Sequence, residues 1–382
     1  MRLEQALDRL LARGFLPLRP TYVRRLYPDG GRLPIAHRPG GTYMARWRMW
    51  RSERWIGSTV PARNPQRIAD EGISLLDVAG VDLPLPVALQ LRGREILGSR
   101  HYAAYGPDFP VLVKILDPGQ TIGFHFHARD VDVWKHPRRF GGQRFGKDEA
   151  YYFLDAPKGP IPYTHVGLLA GTTQHALADA IAEGEGRVLE LSPVIHQKIG
   201  AGFFVPAGVP HRPGTALTLE VQQPSDVSTM LERVSAGRVL SEREMHPGFA
   251  SLREALAIID YATATDPTLV KRCGLTPEPV REKTSRGGEE AWIFPPRFRK
   301  FSGKRLVVHT RVESHEDGPY LALVWRGRGQ VNGARIRAGA EFLVIAALAT
   351  RGHVYEAERG PMEIFKIFPP APQHYRKSPL SS

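Results

Sequence analysis

At 382 residues with a formal net charge of +13, the chain is long enough to bury a sizeable core in two or three domains, and its single cysteine, Cys273, excludes an internal disulfide and any cysteine-based zinc site. Lysine supplies only 11 of the 52 basic residues, so arginine carries the excess and each lysine is a minority choice. No stretch reaches the ~18 consecutive apolar residues of a membrane span, no RRM, KH or helix-turn-helix pattern accompanies the basic charge, and the cytoplasm is the default compartment.

The first residues, MRLEQALDRLLARGF, set Leu3, Ala6, Leu10 and Leu11 at helical spacing with Glu4 and Asp8 among them, which predicts an amphipathic helix and not a signal peptide. From Leu16 to Arg100 the chain is rich in proline, glycine and arginine. Within it, RWRMWRSERW (Arg46 to Trp55) predicts a partly buried strand with arginine stems lying along it, and GISLLDVAG (Gly72 to Gly80) predicts a helix.

From Tyr102 to Gln223 short strands alternate with turn formers: FPVLVKILD, EAYYFLDA, YTHVGLLAG, AGFFVPAG and TALTLEVQQ. That spacing predicts a β-sandwich or barrel. Ser241 to Gly274 reads as helical, with Leu252, Leu256, Ile259 and, less regularly, Tyr261 toward one side. TPEPVREKTSRGGEE reads as an exposed linker, and a second set of strands follows in which WRGRGQVNG is a hairpin turn and His309 and His315 lack a neighbouring imidazole.

Chemistry concentrates in the middle third. In an extended TIGFHFHARD, Ile122, Phe124 and Phe126 face one way while His125 and His127 face the other, two imidazoles close enough to reach one ion. Glu149 opens the aromatic strand EAYYFLDA, and His211 follows the proline and glycine turn of FFVPAGVPHRPG. Three imidazoles and a carboxylate suit zinc, iron(II), manganese or nickel and do not suit calcium.

The blocks LVKILD, FHFHARD, GKDEAYYFLDA, VPAGVPH and LEVQQPSD stand in an order that resembles the catalytic domain of the type I phosphomannose isomerase family, within the cupin superfamily. The resemblance is strong only between Pro110 and Asp226. It implies a mainly β fold: a cupin (jelly-roll) catalytic barrel with a helical insert and a second, smaller C-terminal jelly-roll domain. The implied division is 1–100 as a segment packing on the catalytic domain, 101–240 as the metal-binding cupin domain, 241–288 as helices and linker, and 289–382 as a cupin-like domain.

Carried over by position, the metal ligands are His125, His127, Glu149 and His211, holding one divalent ion, with zinc first and iron(II), manganese or nickel as alternatives. His125 stands where the family usually has glutamine. Lys114 and Lys147 match family lysines; Lys114 shares a strand face with Leu112 and Leu116, apolar neighbours that disfavour its charge. Met230 stands where the family has an arginine, which leaves Arg233 and Arg238 as candidate phosphate holders. The loop from Ala128 to Asp148, with Lys135, His136, Arg138, Arg139 and Arg144, is a candidate lid or anion-contacting loop, and Glu220 is a candidate partner orienting a histidine.

The implied activity is metal-dependent isomerisation of mannose 6-phosphate and fructose 6-phosphate, with an anionic sugar phosphate as partner, no nucleic acid, no membrane, and a second copy of the chain as a candidate dimer partner. Two other classes accommodate the same residues: a cupin dioxygenase-type enzyme using three histidines and one glutamate, and a non-catalytic sugar-phosphate-binding relative.

Overall fold

The computed structural model describes residues 3–33, 43–44, 46, 48–78, 82–184, 186–280, 287–376 and 379. The amphipathic helix forms over Leu3–Arg13 and buries Ala6, Leu7 and Leu10. Gly14, at φ 85°, turns the chain into the strand Phe15–Leu18, which pairs antiparallel with Glu341–Val344 near the other end of the sequence. The next strand, Thr21–Arg25, joins a different sheet by pairing with Met49–Ile56. The N-terminal segment therefore contributes a strand to each of the two largest sheets.

The first of these has eight strands, running Gly274–Leu275, Gly202–Val205, Glu149–Asp155, Leu217–Gln222, Leu112–Leu116, Met49–Ile56 and Thr21–Arg25, with Tyr43–Met44 added beside Met49–Ile56. A five-stranded sheet lies against it, in the order Thr229–Met230, His125–Phe126, His211–Arg212, Tyr163–Val166 and Val194–His196. All the strand pairs are antiparallel, and apolar side chains of both sheets, among them Val113, Phe124, Phe126, Ala150, Phe203 and Leu219, share one core. In each strand the alternate residues that face this core are free to be apolar, while a few positions on the inner wall carry charge.

The second β set forms a seven-stranded and a four-stranded sheet. Between the latter's strands Arg328–Val331 and Ala334–Arg337, Asn332 (φ 45°) and Gly333 (φ 79°) make the hairpin turn expected at WRGRGQVNG. Two left-handed residues are what a tight two-residue hairpin requires.

Two helical expectations need adjustment. Gly72–Gly80 is not a helix: Leu75 and Leu76 bridge to Pro84 and Leu18, and the main chain of Asp77 donates to Pro17, while residues 79 and 80 lie outside the described residues. Strand partners supplied by distant chain outweigh the local helical preference. The long helix lies instead at Leu85–Tyr105, opened by Pro86 in its first turn, kinked at Gly98 and burying Leu85, Ala88, Leu89, Ile96 and Leu97. Its signal was a proline at the start of an apolar spacing. From Ser241 onward the expected helices form as four short ones, Glu242–Met245, Leu252–Leu256, Tyr261–Ala264 and Leu269–Cys273. Of the linker stretch, Glu278–Pro279 pairs as a strand with Gly288–Phe294, and residues 281–286 lie outside the described residues.

Candidate metal centre

His125 sits in the five-stranded sheet directly opposite His211 on one side and Met230 on the other. Phe124 and Phe126 are fully buried in the core, as the alternation of faces requires, and the imidazoles of His125 and His127 turn the opposite way. Ring centroids are 4.3 Å apart for His125 and His211, 4.9 Å for His125 and His127, and 5.1 Å for His127 and His211. One donor nitrogen of each lies within 4.8 Å of the others.

The fourth predicted residue arrives from the facing sheet. Glu149 Oε1 lies 2.8 Å from His211 Nε2, and Glu149 Oε2 lies 3.3 Å from His127 Nε2. Thus the structure brings together all three histidines and sets the carboxylate on two of them.

Each ring is oriented by the main chain. The Nδ1 atoms of His125, His127 and His211 lie 2.7, 2.9 and 3.0 Å from the carbonyl oxygens of Gly123, Val227 and Val209. A carbonyl only accepts, so each Nδ1 carries the proton and each Nε2 keeps its lone pair for an ion. Glu220 does not orient a histidine, as the sequence had led us to expect. It sits on the strand beside Lys114, and its carboxylate faces Lys147 at 3.3 Å and Lys114 at 3.9 Å.

Electrostatics keep the donors in ligating form. Burial, followed by the charge of Lys147, pushes His127 down to about 3, and burial with His211 and His127 close by holds His125 well below the usual imidazole range. For Glu149, burial works upward, but Lys147 and the histidines outweigh it and hold the carboxyl well below the usual range. Tyr151 also donates its hydroxyl to Glu149.

The residues fit a divalent cation. Glu149 Oε2 and His211 Nε2 are buried without a properly directed hydrogen bond, although Lys147 Nζ lies 2.7 Å from that oxygen. Leaving such buried atoms unsatisfied costs about 1–3 kcal/mol each, and a cation bound by nitrogen and oxygen donors would satisfy both. The set of three imidazoles and a carboxylate belongs to the zinc, iron(II) and manganese class.

Beyond the histidines opens a cavity of about 610 Å³, lined among others by His125, Lys114, Lys147, Glu220 and Met230. Lys114 is 2 % exposed but does not lie among apolar side chains alone: Asp226, Glu53 and Glu220 stand 3.7–3.9 Å from its Nζ, and the Trp55 ring lies 5.0 Å away. Strand neighbours on the same chain were apolar; the carboxylates come from across the sheet and from the following turn. Arg238 lines the cavity and pairs with Glu244, whereas Arg233 is exposed and is not part of its wall. The basic loop is bound down on itself and its surroundings, with Trp134 Nε1 donating to Arg144 O and Arg139 meeting Glu254, and of its five basic residues only Arg139 reaches the cavity. Sequence reasoning missed Arg25, Arg63, Arg67 and Arg243, which also line it. Three of them come from the proline-rich N-terminal third, whose place beside the barrel no local pattern announces.

Three main-chain-oriented imidazoles on one sheet, with a carboxylate from the facing sheet, make a candidate metal centre in a mainly β fold. No protein-family model matches the chain. The mannose-6-phosphate isomerase ManA of Bacillus subtilis (strain 168) is 33% identical to it over 160 residues, which span 41% of this chain and 45% of the relative, so the match covers less than half of that protein. The crystal structure of a mannose 6-phosphate isomerase from Bacillus subtilis superposes with a TM-score of 0.65 at 19% identity, over 92% of this chain and 99% of that one. A zinc-bound holo mannose 6-phosphate isomerase superposes with a TM-score of 0.63 at 13% identity, over 94% and 100%. At these identities the superpositions establish the fold, and the fold is that of the phosphomannose isomerases.

Proposed function

We propose that the protein is a metal-dependent aldose–ketose isomerase that interconverts mannose 6-phosphate and fructose 6-phosphate, with one zinc ion at His125, His127, Glu149 and His211. The observation that carries this reading is a single cavity joining an imidazole of the cluster to Lys114, Lys147, Glu220 and several arginines. The partial identity to a mannose-6-phosphate isomerase and the zinc in a structurally similar one support the choice of substrate and metal.

The reaction removes the proton on C2 of the aldose while O1 is protonated, and the resulting enediol is reprotonated at C1 as the O2 hydroxyl gives up its proton. When bound, the metal supplies Lewis acidity toward the sugar oxygens. The chain supplies the proton carriers. Burial pushes Glu220 up to about 7 against the pull of Lys114 and Lys147, so its carboxyl takes and returns a proton near neutral pH. Lys147, which burial would discharge, is held charged by Glu149 and Glu220 and can donate to a sugar oxygen. Lys114 is locked between three carboxylates and serves to position Glu220 and Asp226. We assign the catalytic role to the unit 101–240; of the two candidate phosphate holders only Arg238 lines the cavity, and Glu244 already pairs with it.

No helix among the described residues is long and apolar enough to cross a membrane, and the lone Cys273 is buried, in keeping with a cytoplasmic enzyme of carbohydrate metabolism. The test is exchange: protein loaded with zinc, manganese or iron(II) is incubated with fructose 6-phosphate in deuterium oxide. Deuterium should enter the sugar at C1 or C2 with formation of mannose 6-phosphate. Failure with all three metals overturns the reading, and oxygen uptake with enediol or phenolic compounds would point to a dioxygenase.

A further inference from the structure

We propose that the phosphoryl group of the substrate is held by Arg63, Arg67 and Arg243, which line the cavity, a cradle separate from the place of Met230. This rests on the reading of the protein as a sugar-phosphate enzyme. Met230 does line the cavity, paired across the strand from His125, so the position the resemblance reserves for an arginine offers no charge. The cationic lining comes from elsewhere in the chain.

Three of the six arginines on that lining are already committed. Arg25 donates to Glu53 at 2.8 Å, to Asn64 at 3.2 Å and to Asp226 at 2.9 Å. Arg139 pairs with Glu254 and Arg238 with Glu244. Among the described residues no carboxylate forms an ion pair with the guanidinium of Arg63, Arg67 or Arg243. Arg63 and Arg67 repel each other, an effect Asp226 opposes without forming an ion pair, and a dianion bridging the arginines relieves that repulsion while accepting paired N–H bonds.

Arg63 is built into the site. Its main-chain N donates to Asp226 Oδ2 at 2.7 Å, and Asp226 Oδ1 faces both Arg25, at 2.9 Å, and Lys114, at 3.7 Å. Its Nη2 donates to the carbonyl of Gly141 at 2.6 Å, which fixes the direction of the guanidinium against the basic loop. Burial, and next the charge of Arg67, lower the affinity of Arg63 for its proton, while the charge of Asp226 acts in the opposite direction. Asp226 thereby ties the anion cradle to the lysine and carboxylates at the cavity floor.

The experiment measures binding of inorganic phosphate by calorimetry and, separately, steady-state turnover of fructose 6-phosphate, in the metal-loaded wild type and in Arg67→Ala, Arg243→Ala and Arg63→Lys. Arg67 and Arg243 are exposed, so their replacement leaves folding intact. Expected is a loss of about tenfold or more in phosphate affinity for each alanine variant, with KM raised in proportion, kcat within about threefold and metal content unchanged. Arg335→Ala, on the distant four-stranded sheet, serves as the control and should match wild type. Should wild type bind phosphate and the variants lose it while no sugar phosphate is turned over, the cradle stands and the isomerase reading falls. Wild type failing to bind phosphate, or all variants binding it equally, overturns the cradle.

Discussion

His211 Nε2 meets Glu149 Oε1 at 2.8 Å across the two sheets of the barrel, with both side chains completely buried. Local sequence places each residue on its strand but does not bring the two together, and each satisfies the other only in part. We expect Glu149→Gln and His211→Ala each to lower zinc affinity by more than the ~10–100-fold typical of losing an outer hydrogen-bond partner. Metal analysis after dialysis against a weak chelator measures this, and retention of a full equivalent by both variants would dismiss the site.

Lys147 stands 3.1 Å from His127 Nε2 and 2.7 Å from Glu149 Oε2, so its ammonium competes with a cation for the same donors. Replacing it removes a positive charge from the site without removing a ligand. Lys147→Met should therefore bind zinc at least as tightly as wild type while turnover falls by about 100-fold or more, as for loss of a general acid. A variant that loses metal would make Lys147 a structural prop.

The pH dependence follows from His127. Its pKa is pushed from the usual 6.5 down to about 3, so on acidification the folded state takes its proton later than the unfolded chain. The associated stability is fully present above pH 6.5 and is lost as pH falls from there toward about 3, with a limiting slope of about 1.4 kcal/mol per pH unit from this one group. Urea denaturation of metal-free protein at pH 7, 6 and 5 should show the decline, and His127→Gln should flatten it. An unchanged slope in that variant would mean other groups govern acid unfolding.

Arg54 and Glu341 form a second connection, between the strand Met49–Ile56 of the eight-stranded sheet and Glu341–Val344 of the seven-stranded one. Arg54 Nε donates to Glu341 Oε2 at 3.0 Å and its Nη2 to the Gly339 carbonyl at 2.6 Å, and the Arg54 and Glu341 side chains are nearly excluded from solvent. Breaking such a pair leaves a buried carboxylate unpaired, at a cost of about 3–5 kcal/mol. Arg54→Ala should show that loss in denaturant titrations while binding zinc normally. A loss below about 1 kcal/mol would mean that the pair counts no more than a surface salt bridge.

Much of the site was legible in the chain because its chemistry follows strand periodicity. Two histidines two apart must share a face, a glutamate at the start of an aromatic strand must lie at that strand's end, and His211 follows a turn that proline and glycine impose. The β character of both halves, the helix Leu3–Arg13 and the hairpin near Asn332 were readable for the same reason, since each depends on neighbours within a few residues.

What periodicity cannot carry is which distant segments meet. The environment of Lys114 looked apolar along its own strand, yet three carboxylates from other segments surround it. Leu75 and Leu76 gave up a helix for bridges to Pro84 and Leu18. Arg63 and Arg67 belong to a stretch with no pattern of its own and reach the cavity only because Asp226, 163 residues further on, accepts a hydrogen bond from Arg63. Sequence by itself determined the candidate donor types and the face each occupies, through short-range backbone geometry. Tertiary structure alone decided which charges oppose them, because Coulomb interactions depend on distance in space, and the sheet pairings set that distance.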